Sequence, residues 1–279
     1  MEKTLWLNCL DNASDNGWTK KKYLLRAAEQ MGIEYVRDIK SRTIEDVEYV
    51  LNIEPYDEII KGSKWTGAWQ IDLLINLPRF TKDWHQLDTI FCAISRSEVE
   101  IRGNKVLLFQ AFDPEFHKKT PGIEQHDFVL VGSTENPIYE KRIQAISVLS
   151  HKFNFNFLGK GYSPEKFSEL MSKARVQFIC SAHNEKGEGE LAQRFFESLA
   201  IGPVLTNNVP DLQYTSLVEG VDYLSYKNEE EMIKKMEFLL KNKEYADKIA
   251  FNGRMKGLNF HTFYHRLLTI LGYAFYERA

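Results

Sequence analysis

The chain reads as an α/β protein built on two mainly parallel, doubly wound sheets, and three features carry that reading. Short apolar runs alternate with longer amphipathic ones through residues 1–112. A polar stretch bearing proline and glycine then interrupts the pattern over residues 113–126. A second alternation of the same kind starts at Asp127 and runs to about residue 258. Parallel neighbours need a crossover, most often a helix, and this spacing supplies one each time.

In the first half, Thr4–Leu10 is a strand candidate, followed by the polar loop Asp11–Gly17. Thr19–Met31 carries Tyr23, Leu24, Ala27, Ala28 and Met31 at helical period, and Gly32 stands where a helix C-terminus favours glycine. Ile33–Ile39 is a second strand. Thr43 with Asp46 three residues on resembles a capping box and predicts a helix over Thr43–Leu51. Asp57–Lys61 is expected as a strand and Trp65–Leu77 as an apolar helix, with further strands at Thr89–Ile94 and Lys105–Gln110.

Asp113-Pro114 and the segment His117–His126 read as a linker. Beyond it, strands are expected at Phe128–Val131, Phe153–Leu158, Val176–Cys180 and Val204–Thr206. Helices are expected at Tyr139–Leu149, Ser163–Lys173, Leu191–Ala200, Glu229–Leu240 and Glu244–Met255. A last helix, His261–Ala279, is expected to pack back on the first domain, or to offer Tyr273, Phe275 and Tyr276 to a second copy.

At 279 residues the chain is long enough for two domains of about 140 residues each. It is 43% hydrophobic and 27% charged, as soluble enzymes are, and its net charge of −3 gives no broad basic face for nucleic acid. The 13% of aromatic residues suits either a Phe/Tyr-rich core or stacking on sugars and bases. Cys9, Cys92 and Cys180 each sit in an apolar run, far apart, and read as buried thiols of a reducing compartment. The N-terminus turns polar by Asp11, too early for a signal-peptide core, and no apolar run approaches the roughly 18–20 residues of a membrane span. The expected location is cytoplasmic.

The chemistry concentrates in residues 174–206, a strand, a polar loop with two glycines, an amphipathic helix, a Gly-Pro turn and a second strand. Such a unit aims loop amides at one point in space, an arrangement suited to phosphate. Glu197 is then either an exposed helix glutamate or a carboxylate that accepts from both hydroxyls of a ribose. Arg194, one turn earlier, either pairs with Glu197 or reaches a phosphate as a fork donor. In the loop, Gly187 and Gly189 allow close backbone approach, His183 is solvated or bonds a sugar or phosphate, and Glu185, Glu188 and Glu190 turn toward solvent, sugar or acceptor. Gly132-Ser133 stands where open α/β sheets hold ligands, and Arg142 either reaches a phosphate or covers surface. His261 and His265 have the spacing of a metal pair without a third ligand, so they read as packing and capping residues, and no metal is expected. Dinucleotide, P-loop and nucleophile-elbow fingerprints are missing from the sequence.

Four segments in order resemble the spore-maturation-type family of glycosyltransferases, within the retaining GT-B group. They are Asp127–Ser133 with Arg142, Arg194–Gly202 with Leu205-Thr206, Glu219–Tyr226, and His261–Arg266, spread over about residues 110–270. The resemblance implies a GT-B architecture of two Rossmann-like domains facing across a cleft, the second holding a nucleotide-sugar donor. By position it gives Glu197 the ribose, Gly132, Ser133, Arg142 and Arg194 the diphosphate, and Gly159 and Tyr162 the base. It implies no cofactor beyond the nucleotide sugar, which is a co-substrate, and a reaction independent of metal.

Many retaining members carry two glutamates eight residues apart. Here Gly189 stands eight before Glu197, flanked by Glu188 and Glu190, so those two and Asp72 are the candidates for contact with the reacting sugar. Asp11, Asn12, Asp15 and Gly17 are the acceptor-side candidates. The acceptor itself (glycan, small molecule, protein or nucleobase) is not legible. A catalytically silent nucleotide- or glycan-binding module and a nucleotide-sugar epimerase remain alternatives, because fold analogy does not decide between them.

Overall fold

The structure, a computed structural model, describes residues 3–9, 20–39, 47–53, 59–70, 86–93, 104–159, 161–181 and 191–276. The chain divides into two compact units, one of residues 1–110 with 263–279 and the other of residues 111–262. The first six strands of the described chain are β1 (Leu5–Asn8), β2 (Val36–Asp38), β3 (Tyr49–Ile53), β4 (Trp65–Gln70), β5 (Thr89–Cys92) and β6 (Asn104–Leu107). They form one parallel sheet in the order β2-β1-β3-β4-β5-β6.

Two expected helices of this unit prove to contain strands. Val47, Val50 and Leu51 mimic a helical stripe, yet residues 49–53 form β3, every residue of which is buried. A short apolar run is ambiguous in period, and burial on both faces decides it. Trp65 and Trp69, four apart, likewise mimic a helix but lie on one face of β4. Their indole N–H groups donate to Thr89 Oγ1 at 3.3 Å and the Leu108 carbonyl at 3.1 Å. Gly67 between them is required, since a Cβ there would sit 2.1 Å from the Trp65 ring. Of the strand expected at Asp57–Lys61, residues 59–61 are loop.

Helix α1 (Lys20–Gln30) ends at Gly32, whose φ of +67° is the left-handed conformation that glycine adopts freely. The C-terminal helix, Phe263–Phe275, belongs to this first unit. Its Phe263 ring stacks on Tyr23 of α1 at 4.6 Å. Phe275 meets Tyr35 and Tyr49 edge-on, and Tyr273 meets Phe91, so both aromatic residues serve packing within the unit. Arg266 is buried and donates to the carbonyls of Phe109 and Gln110 at 2.7 and 3.0 Å.

The second unit holds β7 (His126–Val131), β8 (Phe155–Leu158), β9 (Ala174–Ile179), β10 (Val204–Asn207) and β11 (Leu224–Tyr226), parallel and in the order β11-β10-β9-β7-β8. β11 is short and was not anticipated from the sequence. Helices α2 (Glu140–Ser150), α3 (Pro164–Ser172), α4 (Gln193–Leu199), α5 (Glu229–Lys241) and α6 (Lys243–Phe260) cover it, and the C-terminal helix is α7. One core joins Phe128, Leu130, Leu149, Phe178, Met236 and Ile249 under α2, α5 and α6. A smaller one joins Val129, Val131, Phe167, Met171 and Ile201 under α3. Alternate residues of β7 enter the two cores, as the strand period of two requires.

Helix starts follow their local chemistry. Ser163 Oγ accepts from Lys166 N with Pro164 in the first turn of α3, and Asn228 Oδ1 accepts from Glu231 N at the start of α5. His261 and Thr262 separate α6 from α7, so His261 and His265 lie on different elements rather than on one helix face. His261 Nε2 lies 3.1 Å from Ser216 Oγ and its ring packs against Phe196.

Candidate functional site

The order of the second sheet reverses direction between β7 and β9: the chain leaves β7 to one side for β8 and returns to the other for β9. In open parallel sheets the crevice for ligands forms outside the carboxyl ends at such a point. The carboxyl ends here are stitched together by Arg142. Its Nε donates to the Cys180 carbonyl at 2.8 Å and its Nη1 to the Ser133 carbonyl at 2.7 Å, while the guanidinium stacks over Tyr139 at 4.3 Å. Burial lowers its pKa from the usual arginine value.

Gly132 leaves room for that clamp, since a Cβ would meet Arg142 Nη1 at 2.7 Å. Its N–H donates to the Gly159 carbonyl at 3.2 Å, which ties the turn after β7 to the turn after β8. Ser133 Oγ accepts from Glu135 N, Gly159 has open space beside its Cα, and Tyr162 packs half-buried on the Val129/Phe167 cluster.

Glu197 projects from α4, a helix of seven residues, and is 2% exposed. Among the described residues, three side chains hold its carboxylate. Gln193 Nε2 donates to Oε1 at 2.7 Å, Arg194 Nη1 donates to Oε2 at 2.7 Å, and His117 Nε2 lies 3.3 Å from Oε1. Burial pushes the carboxyl pKa up, but the Arg194 charge, the His117 ring and the Gln193 amide outweigh it and hold it well below the usual carboxylate range. The site therefore keeps a negative charge out of water. Arg194 chooses the pairing reading: it bonds Glu197 and lays its guanidinium over the Phe167 ring at 4.5 Å.

His117 is the functional candidate that sequence reasoning missed, because it lies in the stretch read as linker. The local sequence builds its placement. Asp113 Oδ1 accepts from Glu115 N and the Asp113 carbonyl accepts from His117 N, with Pro114 between them, a tight turn of the Asp-Pro kind. Ser168 Oγ of α3 donates to the Phe116 carbonyl at 2.7 Å and Ser172 Oγ accepts from Thr120 N at 2.9 Å, pinning the segment to the helix. His117 is 1% exposed, edge-on to Phe167, with Nδ1 3.1 Å from Asp113 N. Nδ1 is equally near the Asp113 carbonyl, at 3.1 Å, so the Asp113 backbone serves it as donor or acceptor. Nε2 faces a carboxylate oxygen, which only accepts, and so carries a proton directed at Glu197. No periodicity marks such a residue; its meaning exists only where residue 117 meets residue 197.

Two further polar groups stand at carboxyl ends of strands. Asn207 Oδ1, at the end of β10, accepts from Ser181 N at 2.8 Å. Beside it a cavity of about 380 Å³ opens over the ends of β9, β10 and β11, lined by Lys141, Gln144, Cys180, Tyr226 and Asn228 among others. In the first unit, Lys21 of α1 is buried and pairs with Asp38 of β2 at 3.0 Å. Asp11, Asn12, Asp15, Gly17, Asp72, His183, Glu188, Gly189 and Glu190 lie outside the described residues. Among the described residues no three His, Cys, Asp or Glu side chains are grouped to hold a metal ion, and no helix is long and apolar enough to cross a membrane.

Residues 116–272 match a family model described as glycosyl transferase-like. No curated protein matches the sequence significantly. Among solved structures, Anabaena Alr3699/HepE in complex with UDP and glucose superposes with a TM-score of 0.66 at 9% identity, over 96% of this chain and 99% of that one. Sucrose-phosphate synthase from Thermosynechococcus elongatus gives 0.55 at 11% identity, over 96% and 97%. Phage T4 BGT in complex with UDP and Mn2+ gives 0.58 at 11% identity, over 98% and 99%. At these identities the likeness establishes the fold, that of the GT-B glycosyltransferases.

Proposed function

The chain belongs to the glycosyl transferase-like family, matched over more than half its length, and from that premise we propose that it moves a sugar from a nucleotide-sugar donor to an acceptor. The order of its four motifs favours the spore-maturation-type branch within that family. The observation that carries the reading is the buried, ionised Glu197 on the helix that follows β9, held by His117, Arg194 and Gln193. An acceptor-only group kept charged out of water suits the vicinal hydroxyls of a ribose, which need acceptors and lose their hydration on entry.

In this reading Arg142 acts through the backbone. It shapes the turn at Gly132-Ser133, where the Ser133 amide and hydroxyl then face the diphosphate, with Arg194 adding charge beside it. The reaction breaks the bond between anomeric carbon and diphosphate oxygen and forms one to an acceptor oxygen or nitrogen. Charge accumulates on the leaving diphosphate, so fixed donors directed there lower the barrier most. A retaining, metal-independent course is proposed, in which the departing phosphate accepts the acceptor's proton.

UDP accompanies the Anabaena and phage proteins named above, which makes a uridine nucleotide the first donor to try. The test is a thermal-shift series with UDP, GDP, ADP and their glucose derivatives, with EDTA and with Mn2+. A rise in melting temperature with one nucleotide, undiminished by EDTA and lost in Glu197→Gln, supports the reading, because a ligand bound only to the native state stabilises it by mass action. Stabilisation that survives Glu197→Gln removes it.

A further inference from the structure

The donors around Glu197 outnumber what the proposed ligand leaves room for. A carboxylate has about four acceptor positions. Oε1 already faces Gln193 and His117, and Oε2 faces Arg194. A vicinal diol brings two more donors, so at least one protein donor has to leave when it binds.

The three are not equally free to go. His117 is held on every side: its Nδ1 by the Asp113 backbone, its main chain by the turn at Asp113, the neighbouring Phe116 carbonyl by Ser168, and its ring edge by Phe167. Arg194 is partly exposed, with its side chain at 38%, but its charge balances a buried carboxylate, and removing the cation would leave that charge uncompensated. Gln193 is neutral, half-buried, and sits in the first turn of α4 one helical turn before Glu197. Exchanging its amide N–H for a sugar O–H replaces one neutral donor by another.

We infer that His117 is the fixed partner that orients Glu197, whereas Gln193 is a placeholder that occupies the acceptor position a ribose hydroxyl takes over. This rests on the reading of Glu197 as the ribose-binding group. It assigns His117 as a positioning residue, acting through Glu197, and it requires the two neighbours of one oxygen to respond differently to mutation: loss of His117 weakens binding and loss of Gln193 does not.

The experiment measures dissociation constants by calorimetry for UDP and 2′-deoxy-UDP (or for the tightest-binding diphosphate of the panel and its 2′-deoxy form). Wild type, Gln193→Ala, His117→Phe, His117→Gln and Glu197→Gln are compared, each checked for folding by circular dichroism. Gln193→Ala should leave UDP affinity unchanged or tighten it a few-fold, since a competitor for Oε1 is gone. His117→Phe should weaken UDP about tenfold, the worth of one charge-assisted hydrogen bond, while 2′-deoxy-UDP changes far less. His117→Gln, which restores an N–H near Nε2, should recover much of the loss.

If Gln193→Ala weakens UDP as much as His117→Phe does, Gln193 is a lasting ligand-side partner and the inference is wrong. Equal weakening of UDP and its deoxy form in His117→Phe would reduce His117 to a structural role. Should His117→Phe not fold, Gln193→Ala and His117→Gln still carry the comparison. An intact preference for UDP over 2′-deoxy-UDP in Glu197→Gln, or no diphosphate binding to wild type, would remove the ribose reading itself, which separates that failure from this one.

Discussion

His117 Nε2 stands 3.3 Å from Glu197 Oε1, and both side chains are almost wholly excluded from solvent. Eighty positions apart in sequence, they are brought together because the Asp113–His117 turn is pinned to α3, against which Arg194 of α4 also stacks. A buried carboxylate needs such partners, since an uncompensated one would protonate instead.

That arrangement makes acid stability depend on Glu197. Its native pKa lies below the ordinary 4.5, so the carboxylate contributes stability above the unfolded value and the contribution is lost as pH falls below it. Thermal midpoints should therefore decline from about pH 4.5 downward, and Glu197→Gln should be destabilised by about 1–3 kcal/mol at pH 7, less than for a fully buried pair because the Arg194 side chain is 38% exposed, while losing part of that decline. A variant whose acid profile runs parallel to wild type would show that the pair does not hold the fold.

Arg142 should be intolerant of lysine. Its fork spans the Cys180 and Ser133 carbonyls, and one ammonium does not reproduce that geometry. Each carbonyl left unpaired costs about 1–3 kcal/mol. Gly132→Ala should lose about 1–3 kcal/mol by pushing on the same guanidinium. Urea denaturation of both variants measures this. Wild-type midpoints would mean the clamp is dispensable.

The three thiols should be silent in the native state. Cys9, Cys92 and Cys180 are buried, and burial raises the Cys92 thiol to about 12. A raised native pKa keeps the thiol protonated, so that contribution to stability holds below pH 9 and is lost as pH climbs toward 12. Thiol titration at pH 8 should count none before denaturation and three after it. Rapid labelling of native protein would contradict the packing.

Truncation after Gly272 should unfold the first unit or weaken it severely. It removes Phe275 from Tyr35 and Tyr49, and Tyr273 from Phe91. Both rings are half-buried, so each deletion costs a part of the about 3–5 kcal/mol that a fully buried ring is worth, and together they take a large share of a domain's stability. A truncated chain that melts like the full one would show that the end of α7 is ornamental to the fold.

The four motifs divide by what they do. Arg194–Gly202 carries the candidate site. Asp127–Ser133 with Arg142 shapes the turn beside it. Glu219–Tyr226 is a structural turn into β11: Gly220 has φ +80°, and the buried Asp222 accepts from Val218 N. In His261–Arg266 the arginine fastens α7 to the carbonyls of residues 109 and 110. All four were visible as residues, but only contacts distinguish a ligand group from a fastening one.

By itself the sequence determined the class of the fold and the strands and helices of the second unit apart from β11, and it nominated Glu197 as a candidate. Local period, caps and glycine positions specify those features over a few neighbouring residues. Tertiary structure decided that Tyr49–Ile53 and Trp65–Gln70 lie in strands, because burial on both faces outweighs a spacing that also fits a helix. It decided as well that a histidine in an apparent linker is the partner of Glu197. A carboxylate's charge state and reach depend on the donors that surround it in space, and those come from residues 117, 193 and 194 together.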